Sequence, residues 1–130
     1  MKEEMKSKWS LDKPLYIEES DDRYKDQMKQ LNKRGFCSSE TWALGLVIAE
    51  FILPRLKEFK KVHPDYPMGM TNREWNKVLG KMIFAFQWVL DEDSMTEEYK
   101  RLSDEDKDAN WKKYEEGMKL FSENLLDLWW

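Results

Sequence analysis

Thr71-Asn72-Arg73-Glu74 and the apolar series that follows constrain this chain more than any other stretch. In this order the threonine hydroxyl accepts from the glutamate amide while the carboxylate reaches back to the threonine amide, so two free donors at a helix start are satisfied. Trp75, Val78, Leu79, Met82, Ile83, Phe86, Val89 and Leu90 then recur at the three-and-four spacing of one helix face, a face that must be buried. Asp91-Glu92-Asp93 closes the run. The pattern predicts a helix over residues 71–91.

Its expected partner covers residues 39–62. Ser38 or Ser39 supplies a capping hydroxyl and Glu40 a favourable charge at the positive end of the dipole. Trp42, Leu44, Leu46, Val47, Ile48, Phe51, Ile52 and Leu53 nearly encircle the axis before Pro54, so the first half of this helix is the expected buried hub. Pro54 has no amide to give the carbonyl of Glu50 and crowds it. A carboxylate at Glu50 inside that apolar run needs a cation or a proton, and Lys81 or Arg55 is the expected partner.

The remaining segments read as helix or arm. Tyr24, Met28 and Leu31 mark an amphipathic helix over 20–33 that Gly35 stops. A short turn or helix is expected over 96–102. Ser103-Asp104-Glu105-Asp106 then opens a long helix carrying Trp111, Tyr114, Met118, Phe121, Leu125 and Leu128. Pro14 and the lack of a period leave residues 1–19 as an extended arm. The expected fold is all-α, a compact bundle of about four to five helices over 20–130, with arm and bundle forming one domain of 130 residues.

Several functions are disfavoured by what the chain lacks. A net charge of −4 does not suit a binder of nucleic-acid backbone, although a local basic patch stays open. The single cysteine, Cys37, allows no internal disulfide and no thiolate metal site. The longest apolar stretch, 42–53, is too short to span a bilayer, and residues 1–9 lack the apolar core of an export leader. With His63 as the only histidine, no histidine-based triad or HExxH zinc motif is present. His63 itself reads as a helix-end residue favoured by the dipole. The acidic clusters at 18–22, 91–93 and 104–106 stand at helix ends, where such residues cap and solubilise. No catalytic residue, metal or cofactor is expected.

Seven tryptophans are a high load for this length. Trp42, Trp75 and Trp111 open their helices on the apolar stripe and are expected in the core. Trp88 lies partly off its stripe, and Trp129 and Trp130 end the chain, so these three are the interface candidates.

The run Glu40-Thr41-Trp42-Ala43-Leu44, then Ile52-Leu53-Pro54-Arg55-Leu56-Lys57 with Phe59-Lys60, Tyr66-Pro67, Glu74-Trp75, Lys81-Met82-Ile83 with Ala85-Phe86, and Gly117-Met118-Lys119-Leu120-Phe121 through Leu128-Trp129, resembles a family of small uncharacterised tailed-bacteriophage proteins. The resemblance covers about two-thirds of the chain, from Cys37 onward. It implies a viral source and action in the host cytoplasm, without implying an activity. The family pattern commonly has acidic residues at the slots of Gly45, Gly80, Lys81 and Gln87, where this chain has none, which weakens a carboxylate-metal reading.

The leading expectation is a non-enzymatic phage accessory protein acting by binding, in host takeover or counter-defence, on a host protein or a small nucleotide signal. For a nucleotide, Glu50, Arg55, Tyr66, Lys81 and Trp88 are the expected site, as stacking faces and charged partners. The alternatives are a divalent-metal nucleotide phosphohydrolase using Glu50, and a structural homodimer through Trp129 and Trp130.

Overall fold

The computed structural model describes residues 6–94 and 97–129, with the side chains of 93 and 94 left aside. The protein is all-α. Its helices are α1 (Tyr24–Arg34), α2 (Leu44–Val62), α3 (Asn72–Ser94), α4 (Glu97–Lys100) and α5 (Asp104–Asn124), with 3₁₀ turns at Ser38–Thr41 and Leu125–Asp127. Among the described residues there is no strand, and no helix is long and apolar enough to cross a membrane. Contacts divide the chain into two compact units, Met1–Val47 and Ile48–Trp130.

In the first unit, α1 ends where expected. Gly35 takes the left-handed conformation, φ 79°, and its amide donates to the Leu31 carbonyl at 2.8 Å, a geometry glycine adopts without strain. A side chain there would run into the Ser7 backbone, because the Ser7 amide donates to the Arg34 carbonyl and fixes that part of the arm against the helix end. The expected helix start at Ser38 or Ser39 is instead a 3₁₀ turn, with α2 beginning at Leu44. The Ser38 and Ser39 amides donate to the side chains of Gln30 and Gln27, at 2.7 and 2.9 Å. Acceptors on α1 thus replace the self-capping expected of the serines. Trp42, expected in the core, is 53% exposed. It stacks on Tyr16 with centroids 6.4 Å apart and lies under the Arg23 guanidinium. Hydrogen bonds from Arg23, side chain first and amide second, hold the Asp21 carboxyl down at about 2.

The second unit carries the main core: Ala49, Leu53 and Leu56 of α2 against Trp75, Leu79, Met82 and Phe86 of α3, with Met118 and Phe121 of α5 packed beside them. Thr71 accepts from the Glu74 amide at 3.1 Å, one half of the expected capping box; the reciprocal bond from the Thr71 amide to the Glu74 carboxylate is absent among the described residues. Three pairings fix the course of α5: Lys81 with Glu116, Phe84 with Lys113, and Trp88 with Trp111. As the number rises on α3 it falls on α5, so the two helices run antiparallel. At Gly117 they come so close that a Cβ would collide with the Lys81 carbonyl oxygen and lie within 2.6 Å of the Ala85 Cβ.

The front of α2 is not the hub its composition suggested. Leu44, Ile48 and Phe51 are exposed, while Ala49, Leu53 and Leu56 are buried. Each set has the four-then-three spacing of a helix face, and only the second is covered. Apolar density around the whole axis therefore overstated burial. Pro54 lies inside α2 without ending it, and both Pro54 and Glu50 are exposed. The carbonyl that Pro54 leaves without a donor is on the water side, where solvent meets its need, and Glu50 is no buried charge.

Candidate functional site

Helix α3 has a second row besides its core face. Arg73, Lys77, Gly80, Phe84, Gln87 and Asp91 follow one another at spacings of four, three, four, three and four, so they line one face. Relative to the buried row Trp75, Leu79, Met82 and Phe86 this face is turned by about 200° around the axis. Its residues are exposed or half-buried. Helix α2 reaches it through Lys60, whose Nζ would lie 3.8 Å from a Cβ placed at Gly80. Helix α5 flanks it through Lys113, whose ammonium is 5.5 Å from the Phe84 ring centre. Lys60 of α2 and Lys113 of α5 thus both reach the outer face of α3.

The two ends of this face differ in chemistry. At the start of α3 is an open hollow of about 450 Å³ lined by Lys60, Asn72, Arg73, Asn76, Lys77 and Gly80. No acid lines it. None of Lys60, Arg73 and Lys77 is in an ion pair among the described residues. The positive end of the α3 dipole adds to their field. Asn76 is held by the His63 ring, whose Nε2 is 2.8 Å from the Asn76 Oδ1 while Nδ1 is 3.0 Å from the Asp65 carbonyl. His63 therefore ties down the loop before α3, which agrees with its reading as a structural residue.

Farther along the same face is a cleft of about 180 Å³, formed by Phe84, Gln87, Trp88 and Asp91 of α3, Glu98 and Tyr99 of α4, Leu102, and Asn110 of α5. Its walls are aromatic and its polar groups are amides and carboxylates. The Gln87 amide donates to Asp91 at 3.0 Å. Trp88 packs against Tyr114 and Trp111, at 4.7 and 5.6 Å between centroids, and its indole nitrogen is buried with no hydrogen-bond partner among the described residues. The nitrogen is closed off from the cleft, with almost no surface open to a water molecule.

The five residues expected to form a nucleotide site do not line one cavity. Trp88 lines the cleft. Lys81 is not the partner of Glu50: it bonds Glu116 across the α3–α5 seam at 2.6 Å. Both members of that pair are about half exposed, so it contributes no more than about 0.5 kcal/mol. Arg55 is exposed, donates to the Phe51 carbonyl at 2.7 Å and covers the Phe51 ring. Tyr66 joins Asp65, Pro67, Met68, Asp127 and Trp129 around a separate hollow of about 170 Å³, which does unite Tyr66 with one member of the tryptophan tail. Trp129 is 74% exposed, and Trp130 lies outside the described residues. Trp111, expected in the core, is half exposed because it covers the Trp88 edge of α3 instead of entering the central cluster.

Sequence reasoning missed Lys60, Arg73, Lys77, Phe84 and Asn110. The signal was present as the second four-and-three row on α3, but it is made of mixed residue types and a search for apolar periodicity passes over it. Among the described residues no group of three or more histidines, cysteines or acids is placed to hold a metal ion. No protein-family model, curated protein or solved structure matches the chain.

Proposed function

We propose that this chain is a non-enzymatic binding protein whose ligand is a nucleotide, with the phosphates held at the start of α3. The observation that carries this reading is the hollow of Lys60, Arg73 and Lys77, three cations that among the described residues are in no ion pair and have no acid lining the same space. Charges kept unpaired near a helix start suit an anion. Asn72 and Asn76 supply amides for phosphate oxygens. The resemblance of residues from Cys37 onward to tailed-phage proteins supports the wider role of capturing a nucleotide signal inside an infected host, in counter-defence or host takeover.

Millimolar nucleoside di- and triphosphates are expected to raise the melting temperature in proportion to occupancy, since a ligand of the folded state alone stabilises it by mass action. At a hundredfold excess over Kd the gain is about 2.7 kcal/mol. The gain should shrink as salt rises and vanish in Lys60→Ala with Lys77→Ala. A melting temperature unmoved by every nucleotide tested would end this reading.

A second reading, self-association, is favoured by the exposure of Met68, Leu126 and Trp129, at 103, 89 and 74%. It predicts a mass in light scattering that rises with concentration and returns to that of one chain in Leu126→Glu.

A further inference from the structure

Both ring nitrogens of His63 face oxygen atoms: Nδ1 is 3.0 Å from the Asp65 carbonyl and Nε2 is 2.8 Å from the Asn76 Oδ1. A carbonyl only accepts, so the first bond needs a proton on Nδ1. A neutral imidazole then has a bare lone pair at Nε2, which repels an oxygen and attracts the NH2 end of the Asn76 amide. An imidazolium carries a proton on each nitrogen and makes both bonds as they stand. Resting on the nucleotide reading above, we infer that His63 is a positioning residue for the phosphate hollow. Its protonation holds the Asn76 amide with the NH2 end free for the anion, and its deprotonation turns the amide so that the oxygen is the free end.

The surroundings of Asn76 allow that turn. Asn76 lines the hollow together with Lys60, Asn72, Arg73, Lys77 and Gly80. Its Nδ2 has no partner among the described residues, yet it is not one of the buried polar atoms left without one, so it is open to solvent. A half-turn of the amide exchanges two atoms of similar size and breaks no other hydrogen bond. The ring itself stays in place through Asp65 and through its stack on Phe59, 5.8 Å between centroids. An N–H donor suits a phosphate oxygen and a carbonyl oxygen opposes it, so one side chain favours the anion in one state and disfavours it in the other.

Charge acts in the same direction. The ionisable groups on the elements that meet the ring are Lys60 and Lys61 at the end of α2, Asp65 in the loop with Asp127 around the same small hollow, and Arg73 and Lys77 beside Asn76. The cations oppose a proton on the ring, and an anion in the hollow offsets them. Proton and anion therefore favour each other's binding. Anion affinity rises as pH falls through the range in which imidazole charges, about pH 8 to 5.

Sulfate is the probe, because it stays a dianion over that range while nucleotide phosphates change charge near about pH 6. His63 is the only histidine, so no second imidazole confuses the reading. Sulfate is titrated into the full chain at about pH 5.5 and about pH 8, at constant ionic strength, with the α3 amides and the Asn76 side-chain NH2 followed by NMR. Binding is expected to be about fivefold tighter at the lower pH. His63→Gln and Asn76→Ala, at half-buried positions outside the core cluster, should each bring that ratio to within about twofold. Asn76→Ala is the discriminating variant: a ring that acts by its charge alone keeps the fivefold ratio there, and that result overturns the positioning role. Equal sulfate affinity at the two pH values in the unaltered chain overturns it too, with the hollow left standing. No sulfate binding at either pH overturns the hollow itself, and the role of His63 with it.

Discussion

Gly117→Ala is expected to destabilise the protein by about 2 kcal/mol, although propensity alone argues for the opposite. Alanine in a helix interior is favoured over glycine by about 1 kcal/mol, so an exposed glycine at this place would be a site for improvement. Here the added methyl falls on the Lys81 carbonyl oxygen and within 2.6 Å of the Ala85 Cβ. Neither is the end of a flexible side chain that can swing aside, so α3 and α5 must separate along their whole seam. That opens the Phe86–Phe121 edge contact, at 5.0 Å between centroids, along with the neighbouring packing. The change is read as a lower midpoint in urea with an unaltered slope. An unchanged or raised midpoint would show that the helices are not held this closely.

The other large effect is expected at Trp75. This ring is 1% exposed and meets Phe59 edge-on at 6.5 Å, at the centre of the cluster formed by α2, α3 and α5. Trp75→Ala removes the largest fully buried side chain of the protein and should cost about 4 kcal/mol. Trp42→Ala, at a half-exposed ring stacked on Tyr16, should cost about 1 kcal/mol. Comparable losses in the two variants under the same chemical denaturation would contradict the burial described here.

That contrast shows what was legible in the sequence. Trp42, Trp75 and Trp111 occupy equivalent places near the starts of apolar stripes, yet only Trp75 is enclosed. Periodicity identifies a face that is able to be buried, and burial itself depends on which faces find a neighbour. The same limit explains α2, where the row through Ile48 and Phe51 has the same spacing as the row through Leu53 and Leu56 but no cover. Local signals fared better, because capping and left-handed stops act within a few residues. Thr71 caps α3, Gly35 ends α1 and Ser103 caps α5 by accepting from the Asp106 amide at 3.1 Å. Of the candidate site, Trp88 is legible in the sequence as lying partly off the core stripe, and it lines the cleft. Its companions are not legible, because the pairing of Lys60 with Arg73 and Lys77, or of Phe84 with Asn110, arises from the docking of three helices and leaves no mark on any one of them.

The charges along α3 have a consequence for how the protein could evolve or be engineered. Arg73 stands in the first turn, and Asp91 and Glu92 stand near the end. Both placements oppose the helix dipole, which prefers acids at the start and bases at the end, and each costs about 0.3–1 kcal/mol. Only Glu74 in the first turn goes the favourable way. Reversing these charges is the standard route to a more heat-resistant helix, and in this protein it would take Arg73 from the hollow at the start of α3 and Asp91 from the cleft near its end. On the proposed nucleotide reading, thermal robustness and ligand capture therefore draw on the same few side chains.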